Sequence, residues 1–249
     1  MEVTYATAPA PGRGNEDFVV AGERFVVVLD GATPVGESGC GHGVPWLVAR
    51  LGMQLAVGIV GGVGEPLAVI LAEAIERVCG MHADSCDLGH PDSPSSTVTM
   101  LRCDGGTVDY LVLCDSPLVI EGGDGSLRTY VDDATSHLVS RTRDDVRKLR
   151  NQPGGFCVAN TDPAAAEHAL TGSVDAAEVR RVALMTDGLS RLVERYGWTW
   201  SRVLDVAETE GPGAAVRAVR EAEVATAAGV FPGKRHDDAT IALCRGFTP

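Results

Sequence analysis

The stretch Val26-Val27-Val28-Leu29-Asp30-Gly31 joins four apolar residues, three of them β-branched, to an aspartate and a glycine. A short apolar run bounded by turn residues is typical of a buried β-strand. The glycine permits a sharp turn and lets a backbone group or a ligand approach closely. The segment therefore predicts a core strand that ends in a carboxylate.

Further aspartates lie at the ends of other apolar runs. They are Asp115 after residues 110–114, Asp187 after residues 182–186, and Asp237 with Asp238 before residues 239–243. Strand ends converge at one rim of a sheet, where neighbouring carboxylates repel one another unless a cation neutralises them. Oxygen ligands suit Mg²⁺ or Mn²⁺. The alternative for each single aspartate is a turn former or a helix cap.

Turns rich in glycine and aspartate connect neighbouring apolar runs and predict β-hairpins. The predicted hairpins pair residues 18–21 with 25–29, 96–103 with 107–114, and 118–121 with 127–131, and later strands cover 182–186 and 239–244. Helical patterns occur at residues 43–60, 65–79, 163–170, 190–196, 201–210 and 213–228. Hairpins favour antiparallel sheets, and apolar helices must cover sheet faces. We therefore predict an α+β layered fold, in one domain over residues 1–249.

The composition excludes some partners. The chain has 249 residues, 45% of them apolar, and a net charge of −13. A nucleic-acid-binding protein usually carries a basic patch, whereas the densest basic stretch here, 141–150, also contains two aspartates. The apolar stretch 44–63 is interrupted by Arg50 and Gln54 and predicts a buried helix rather than a membrane span. Because the N-terminus has no signal-peptide pattern, we expect a cytoplasmic protein.

The cysteines predict neither a structural zinc site nor a disulfide framework. Their number, seven, is odd, and no C-x-x-C pair occurs. Motifs for dinucleotides and for phosphate-binding loops, G-x-G-x-x-G and G-x-x-x-x-G-K-[ST], do not occur either. We expect buried thiols in a reducing compartment.

Six short segments, in this order, resemble the metal-dependent protein phosphatases of the PPM or type 2C serine/threonine family, in a bacterial short form. They are Arg13-Gly14-Asn15-Glu16-Asp17, Val28-Leu29-Asp30-Gly31, Ser95-Ser96-Thr97-Val98, Leu113-Cys114-Asp115-Ser116, Met185-Thr186-Asp187-Gly188-Leu189 and Asp237-Asp238-Ala239-Thr240-Ile241. The resemblance implies a four-layer α/β/β/α sandwich with two antiparallel sheets. It also implies a site for two Mn²⁺ or Mg²⁺ ions at one edge of the sheets.

The resemblance also assigns roles to individual residues. Asp30 would bridge the two metal ions, the Gly31 carbonyl would bind one of them, and Asp187 and Asp237 would complete the other. Glu16 and Asp17 would act around the site, mainly through bound waters, and Asp115 would match the aspartate of an optional third ion. Arg13 would hold the substrate phosphate, for which a guanidinium fork is well suited.

Three departures from the family pattern affect these assignments. Arg13 lies four residues before Asp17, where the family usually has five. An insertion at residues 32–43 delays a Gly-His-Gly turn, whose His42 is either a general acid in the cleft or a histidine near a helix N-terminus. Arg191 replaces an acid of the family, which argues against a third ion; it would contact the phosphate or cover a helix face.

We also expect a large mobile loop at residues 81–95.

Three functions follow from these observations. The first is hydrolysis of phosphoserine and phosphothreonine in proteins. The second is the same chemistry on a small phosphorylated metabolite, for which the unusual 32–43 loop leaves room. The third is a catalytically weak regulatory or binding protein of the same fold, although the presence of Asp30, Asp187 and Asp237 argues against it. We expect neither nucleic acid nor a membrane as partner, and the sequence leaves the oligomeric state open.

Overall fold

The computed structural model describes residues 1–34, 36–137 and 143–247. The strands β1 to β12 are Glu2–Ala8, Phe18–Ala21, Phe25–Leu29, Gly31–Ala32, Ser95–Ser96, Val98–Asp104, Thr107–Leu113, Leu118–Gly122, Leu127–Tyr130, Leu170–Asp175, Val179–Met185 and Ala239–Arg245. The helices α1 to α6 are Val44–Gly61, Leu67–Gly80, Arg143–Leu149, Asp187–Glu194, Trp200–Thr209 and Pro212–Ala225. Short 3₁₀ helices cover Ala134–His137, Pro163–His168 and Ala176–Glu178.

Two five-stranded sheets organise the fold. The first has the order β1-β12-β11-β8-β9 and the second the order β10-β7-β6-β3-β2, and strand pairs in both are antiparallel. A small sheet pairs β4 with β5 directly after Asp30. Strands from near the two ends of the chain, β1 and β12, lie side by side in the first sheet.

The strand β3 shows how the layers are stacked. Successive side chains of a strand point to opposite faces of a sheet. Val26 and Val28 therefore pack in the core between the two sheets, and Val27 and Leu29 pack in the core beneath α1 and α2. The helices α4, α5 and α6 cover the outer face of the first sheet. The architecture is the predicted α/β/β/α sandwich, which is confirmed.

The helix α1 is long and apolar enough to cross a membrane, by length and composition alone. It contacts α2 and β3. Leu47, Leu51 and Leu55, spaced four residues apart, belong to the core over the second sheet. One face of α1 is therefore buried in the core, as predicted, whereas Met53, Val57 and Val60 on the same helix are exposed.

Some elements differ from the sequence prediction. The edge strands β1 and β10 were missed because their side chains are exposed or half-buried and form no apolar run. The helix predicted at 163–170 is a 3₁₀ helix, and α4 begins at Asp187 rather than at residue 190. Part of the basic stretch 141–150 lies outside the described residues; its remainder contains α3.

The segment 81–95, predicted as a large mobile loop, packs against the loop that follows β4. The Asp87 amide donates to the Gly39 carbonyl at 2.9 Å, and the Gly39 amide donates to the Asp92 carbonyl at 3.1 Å. His82 and Asp92 are buried. The glycine, proline and aspartate content correctly predicted irregular structure, and backbone hydrogen bonds join this segment to the loop after β4.

Candidate active site

Four aspartates line one cavity of about 670 Å³, and three of them, Asp30, Asp187 and Asp237, are the predicted ligands of the two ions. Asp30 follows β3 of the second sheet, Asp187 follows β11 of the first, and Asp237 precedes β12. The Asp187 amide donates to Oδ2 of Asp30 at 3.3 Å. The predicted convergence of these carboxylates is therefore present in the structure.

Burial and mutual repulsion disfavour the ionised form of these aspartates when no cation is bound. Burial, and then the charges of Asp17 and Asp187, raise the pKa of Asp30 well above its usual range. Burial and the charge of Asp237 raise the pKa of Asp187 to about 7. Clustered buried carboxylates stay ionised near neutral pH when a cation lies between them. Their oxygen-only donor set fits Mg²⁺ or Mn²⁺.

Asp17 supplies a second indication that the residues fit a cation. Its Oδ2 accepts hydrogen bonds from the hydroxyls of Thr186 at 3.0 Å and Thr240 at 2.6 Å. Its Oδ1 is buried and has no hydrogen-bond partner within the part of the chain that the structure describes. Burial raises the pKa of Asp17 to about 7. A buried carboxylate oxygen without a donor is costly unless a cation or its water satisfies it.

The glycines after Asp30 and Asp187 are required by close packing. A Cβ on Gly31 would overlap the Glu16 carbonyl and a methyl group of Val44. A Cβ on Gly188 would overlap the Asp238 carbonyl. Both Asp-Gly pairs therefore let a neighbouring backbone carbonyl pack closely against the glycine, as the sequence predicted.

The second aspartate of the Asp237-Asp238 pair fixes the loop that carries Arg13. Asp238 accepts the backbone amides of Ala10 at 2.7 Å and Glu16 at 2.6 Å, one on each oxygen. The intervening Arg13 is exposed and lines the same cavity as the aspartates. Glu16 accepts the Thr33 hydroxyl at 2.6 Å, beside that cavity. The sequence contained Asp238, but nothing in its pattern indicated this role.

Arg191 contacts the site in neither of the ways that the sequence suggested. It is buried, and its Nη2 lies 2.7 Å from Oδ2 of Asp237, while Nη1 lies 3.5 Å from the buried Glu223. Lys234 approaches the other oxygen of Asp237 at 3.0 Å. Both expectations for Arg191, phosphate contact or coverage of a helix face, are thus corrected: a buried guanidinium requires carboxylate partners.

Asp115, the candidate for a third ion, lines the same cavity and accepts the Thr135 hydroxyl at 3.0 Å. The preceding Cys114 has a φ of 71°, a left-handed conformation that is uncommon outside glycine and clusters at functional sites. Arg150 also lines the cavity; it is buried, and its Nε has no partner among the residues described. Sequence reasoning missed Arg150 and Lys234 because single cations in loops or at helix ends carry no motif.

His42 is not in the carboxylate cavity. Its ring packs on Trp46 with centroids 4.4 Å apart, and it lines a separate cavity with Arg50 and Met53. The general-acid assignment is corrected accordingly, because the insertion directs the histidine toward the ends of α1 and α2. The other alternative, a histidine near a helix N-terminus, describes its position.

His42 has polar neighbours of its own. It lies with Cys40, His82 and Cys86 in a cluster of potential ligands. Each of the two cysteines therefore has a histidine nearby, although no C-x-x-C pair exists. The argument from spacing against a structural zinc site does not hold, because these side chains come from two distant segments.

Several solved structures share this fold. The PPM Ser-Thr phosphatase MsPP from Mycobacterium smegmatis, in complex with cacodylate, is 20% identical with a TM-score of 0.60, covering 98% of this chain and 97% of its own. PppA, a regulatory component of the type VI secretion system in Pseudomonas aeruginosa, is 18% identical with a TM-score of 0.61, covering 97% and 96%. The catalytic domain of PstP with 2 manganese ions is 18% identical with a TM-score of 0.58, covering 97% and 96%.

Comparison with curated proteins found no match. The family profile described as Protein phosphatase 2C matches residues 14–221. The match contains Asp30, Gly31, Asp115 and Asp187 and ends before Asp237 and Asp238, which the fold brings to the same site. Because it spans most of the sequence, the chain belongs to the protein phosphatase 2C family of metal-dependent serine/threonine phosphatases.

Proposed function

We propose that this protein hydrolyses phosphoserine and phosphothreonine in proteins, with two Mn²⁺ or Mg²⁺ ions held by Asp30, Gly31, Asp187 and Asp237. The observation that carries the proposal is the meeting of three aspartates from both sheets at one cavity, with raised pKa values at Asp30 and Asp187. Family members use two such ions. Bound divalent cations lower the pKa of water and stabilise charge on phosphate oxygens.

The protein's own groups around the cavity hold in place the side chains that would bind the ions. Asp17 is fixed by the hydroxyls of Thr186 and Thr240, and its Oδ1, which lacks a hydrogen-bond partner among the described residues, would accept a hydrogen bond from a metal-bound water. Asp238 holds the backbone of Glu16, whose side chain is bound by Thr33. These contacts pre-orient the ligands, which reduces the reorganisation needed when the substrate binds.

Cationic side chains on the cavity wall suit a phosphate group. Arg13 is exposed at the cavity, and its guanidinium can donate two parallel hydrogen bonds to phosphate oxygens. Arg150 and Lys234 line the same cavity. Lys234 is already paired with Asp237, so we assign the primary phosphate contact to Arg13.

Cys114 is the cysteine on the cavity wall, within the described residues, and is unsuited to act as a nucleophile. Burial raises the pKa of its thiol well above the usual range. The reactive form of cysteine is the thiolate, which such an environment disfavours. We therefore propose direct attack by water on phosphorus, without a phosphoenzyme.

A substrate panel tests the proposal. Phosphoserine and phosphothreonine peptides and a set of small phosphorylated metabolites are compared by kcat/KM with Mn²⁺ present, using Asp187→Asn as the inactive control. We expect the peptides to be preferred at least about tenfold, a difference of about 1.4 kcal/mol. Preference for a metabolite would overturn the protein-substrate proposal. Absence of turnover on every substrate by folded, metal-loaded protein would favour a regulatory role instead.

A further inference from the structure

Two segments far apart in sequence bring four potential metal ligands together. Cys40 and His42 come from the insertion after β4, and His82 and Cys86 follow α2. Their ligand atoms all lie within 4.8 Å of one another. None of them lines the cavity that contains Asp30 and Asp187. The cluster is therefore distinct from the phosphatase site.

Four of the six distances within the cluster have the lengths of tetrahedral edges, and the other two are below 4.8 Å. Cys40 Sγ lies 3.4 Å from Cys86 Sγ, 3.5 Å from His42 Nδ1 and 3.6 Å from His82 Nδ1. Cys86 Sγ lies 3.4 Å from His42 Nδ1. A tetrahedral centre with Zn–S bonds of about 2.3 Å and Zn–N bonds of about 2.0 Å has edges of roughly 3.3 to 3.8 Å. The side chains are thus spaced as zinc ligands are.

Local backbone structure positions each pair of ligands. A helical turn follows α2, in which the amides of Ser85 and Cys86 both donate to the His82 carbonyl at 3.0 Å. Residues four apart on such a turn face the same side, so His82 and Cys86 point together. In the other segment the His42 amide lies 3.5 Å from Cys40 Sγ, the N–H···S contact that stabilises a thiolate.

Trp46, in the first turn of α1, packs against both histidines. Its ring centroid lies 4.4 Å from that of His42 and 5.0 Å from that of His82. Cys40 and His82 are buried, whereas His42 is exposed. The tryptophan therefore restricts the ring orientations and covers one side of the cluster, as the apolar surroundings of a metal site do.

We infer that Cys40, His42, His82 and Cys86 form a structural zinc site. Two thiolates and two neutral imidazoles match the +2 charge of Zn²⁺, and binding releases the two thiol protons to solvent. Soft sulfur and imidazole ligands in a tetrahedron select Zn²⁺ over Mg²⁺ or Mn²⁺. All four positions are filled by protein, which is the pattern of a structural rather than a catalytic zinc.

The proposed zinc site is connected to the phosphatase cavity through the insertion after β4. Residues Ala32, Thr33 and Pro34 form part of the wall of the phosphatase cavity, and the insertion continues from them to Cys40. Two backbone hydrogen bonds at Gly39 already join the insertion to the segment after α2. A zinc bound to both segments would cross-link them and fix the far end of the loop whose near end lines the active site.

Metal content tests the site directly. Protein expressed with zinc is desalted into metal-free buffer, and zinc per chain is measured for the wild type, for Cys40→Ser/Cys86→Ser, and for two controls. Cys79→Ser removes a thiol at the end of α2 outside the cluster, and Asp187→Asn alters the phosphatase site alone. We expect about one zinc per chain in the wild type and both controls, and loss of it in the double variant. Wild type without zinc, or a double variant that retains it, would overturn the inference.

A second measurement uses only the wild-type protein, so it tests the site even if the double variant misfolds. Co²⁺ is titrated into metal-free wild-type protein and the visible spectrum is recorded. Tetrahedral coordination with thiolates gives intense d–d bands and a sulfur-to-cobalt charge-transfer band, which we expect. The weak spectrum of oxygen-ligated Co²⁺ alone would contradict the inference.

The facing sulfurs allow one competing structure, a Cys40–Cys86 disulfide. A disulfide requires an S–S distance of about 2.05 Å, shorter than the observed 3.4 Å. Thiols are therefore counted in denaturant without reductant. Seven free thiols in the wild type support the zinc site. Only five free thiols in the wild type, with all five remaining thiols of Cys40→Ser/Cys86→Ser free, would indicate the disulfide and overturn it.

Discussion

Arg191 donates a hydrogen bond of 2.7 Å from its Nη2 to Oδ2 of Asp237. The same guanidinium lies 3.5 Å from Glu223, which is fully buried. The arginine therefore joins the carboxylate cavity to a charge network behind it, on α6. Its positive charge also offsets part of the repulsion that gathering the carboxylates creates.

Removal of Arg191 should destabilise the protein strongly. Arg191→Met removes a buried cationic partner of Glu223 and Asp237. Breaking a buried ion pair in this way typically lowers the free energy of unfolding by about 3–5 kcal/mol. The matched control is Arg77→Met, which breaks the exposed Arg77–Glu73 pair on α2 and should cost less than about 1 kcal/mol. Chemical denaturation of metal-free protein measures both. Equal effects of the two substitutions would show that the Arg191 pairs contribute no more than surface contacts.

Gly31→Ala should lower turnover because its Cβ would overlap the Glu16 carbonyl. Displacement of the backbone beside Asp30 by even 1 Å can reduce the rate by about a hundredfold. Gly61→Ala, at the end of α1, is the control, since a Cβ there meets nothing within 4 Å. Steady-state kinetics with Mn²⁺ compare them. Full activity of Gly31→Ala would mean that the close approach is not required.

Arg13→Ala should weaken substrate binding. A charged hydrogen bond to phosphate is worth about 1.5–3 kcal/mol, so we expect kcat/KM to fall roughly 10- to 150-fold. Arg24→Ala, an exposed arginine on a different cavity, should leave it unchanged. Inhibition by inorganic phosphate should weaken in parallel. An Arg13→Ala enzyme with unchanged kcat/KM and phosphate inhibition would remove Arg13 from the substrate site.

The metal-free protein should lose stability as pH rises from about 4 to about 7. The pKa values of Asp17 and Asp187 are about 7 in the folded state and about 3.9 in an unfolded chain. In this interval the folded state binds more protons than the unfolded state, so its stability falls with rising pH.

Thermal melts in chelator across this pH interval measure the effect, and Asp187→Asn should reduce the slope. Added Mn²⁺ should raise Tm more at pH 8 than at pH 5, because protons and metal compete for the same carboxylates. A pH-independent Tm, or equal stabilisation by Mn²⁺ at both pH values, would contradict the electrostatic description of the site.

The sequence predicted the layers and the carboxylates because both depend on local patterns. The β3 run and the following Asp30-Gly31 needed only periodicity and turn chemistry, and the strands Phe18–Ala21 and Phe25–Leu29 were placed to the residue. The edge strands β1 and β10 were not predicted because none of their side chains is fully buried, and neither strand contains an apolar run.

Partnerships across long sequence distances could not be predicted in this way. Asp238 accepts hydrogen bonds from backbone amides more than 220 residues away. Arg191 contacts Asp237 because α4 packs beside β12. The Cys40–His82 contact also depends on tertiary structure, which is why spacing rules for C-x-x-C pairs did not reveal it. His42 was wrongly assigned to the carboxylate cavity because the sequence of an insertion does not show the direction in which its chain runs.

Metal dependence of phosphate-ester hydrolysis is the most direct test of the central claim. Hydrolysis of p-nitrophenyl phosphate is measured with Mn²⁺, with Mg²⁺ and after chelation, for wild type and for Asp187→Asn. We predict turnover that chelation abolishes, that Mn²⁺ or Mg²⁺ restores, and that Asp187→Asn lowers at least about a hundredfold. Turnover that survives chelation, or a fully active Asp187→Asn protein, would contradict the assignment of the site.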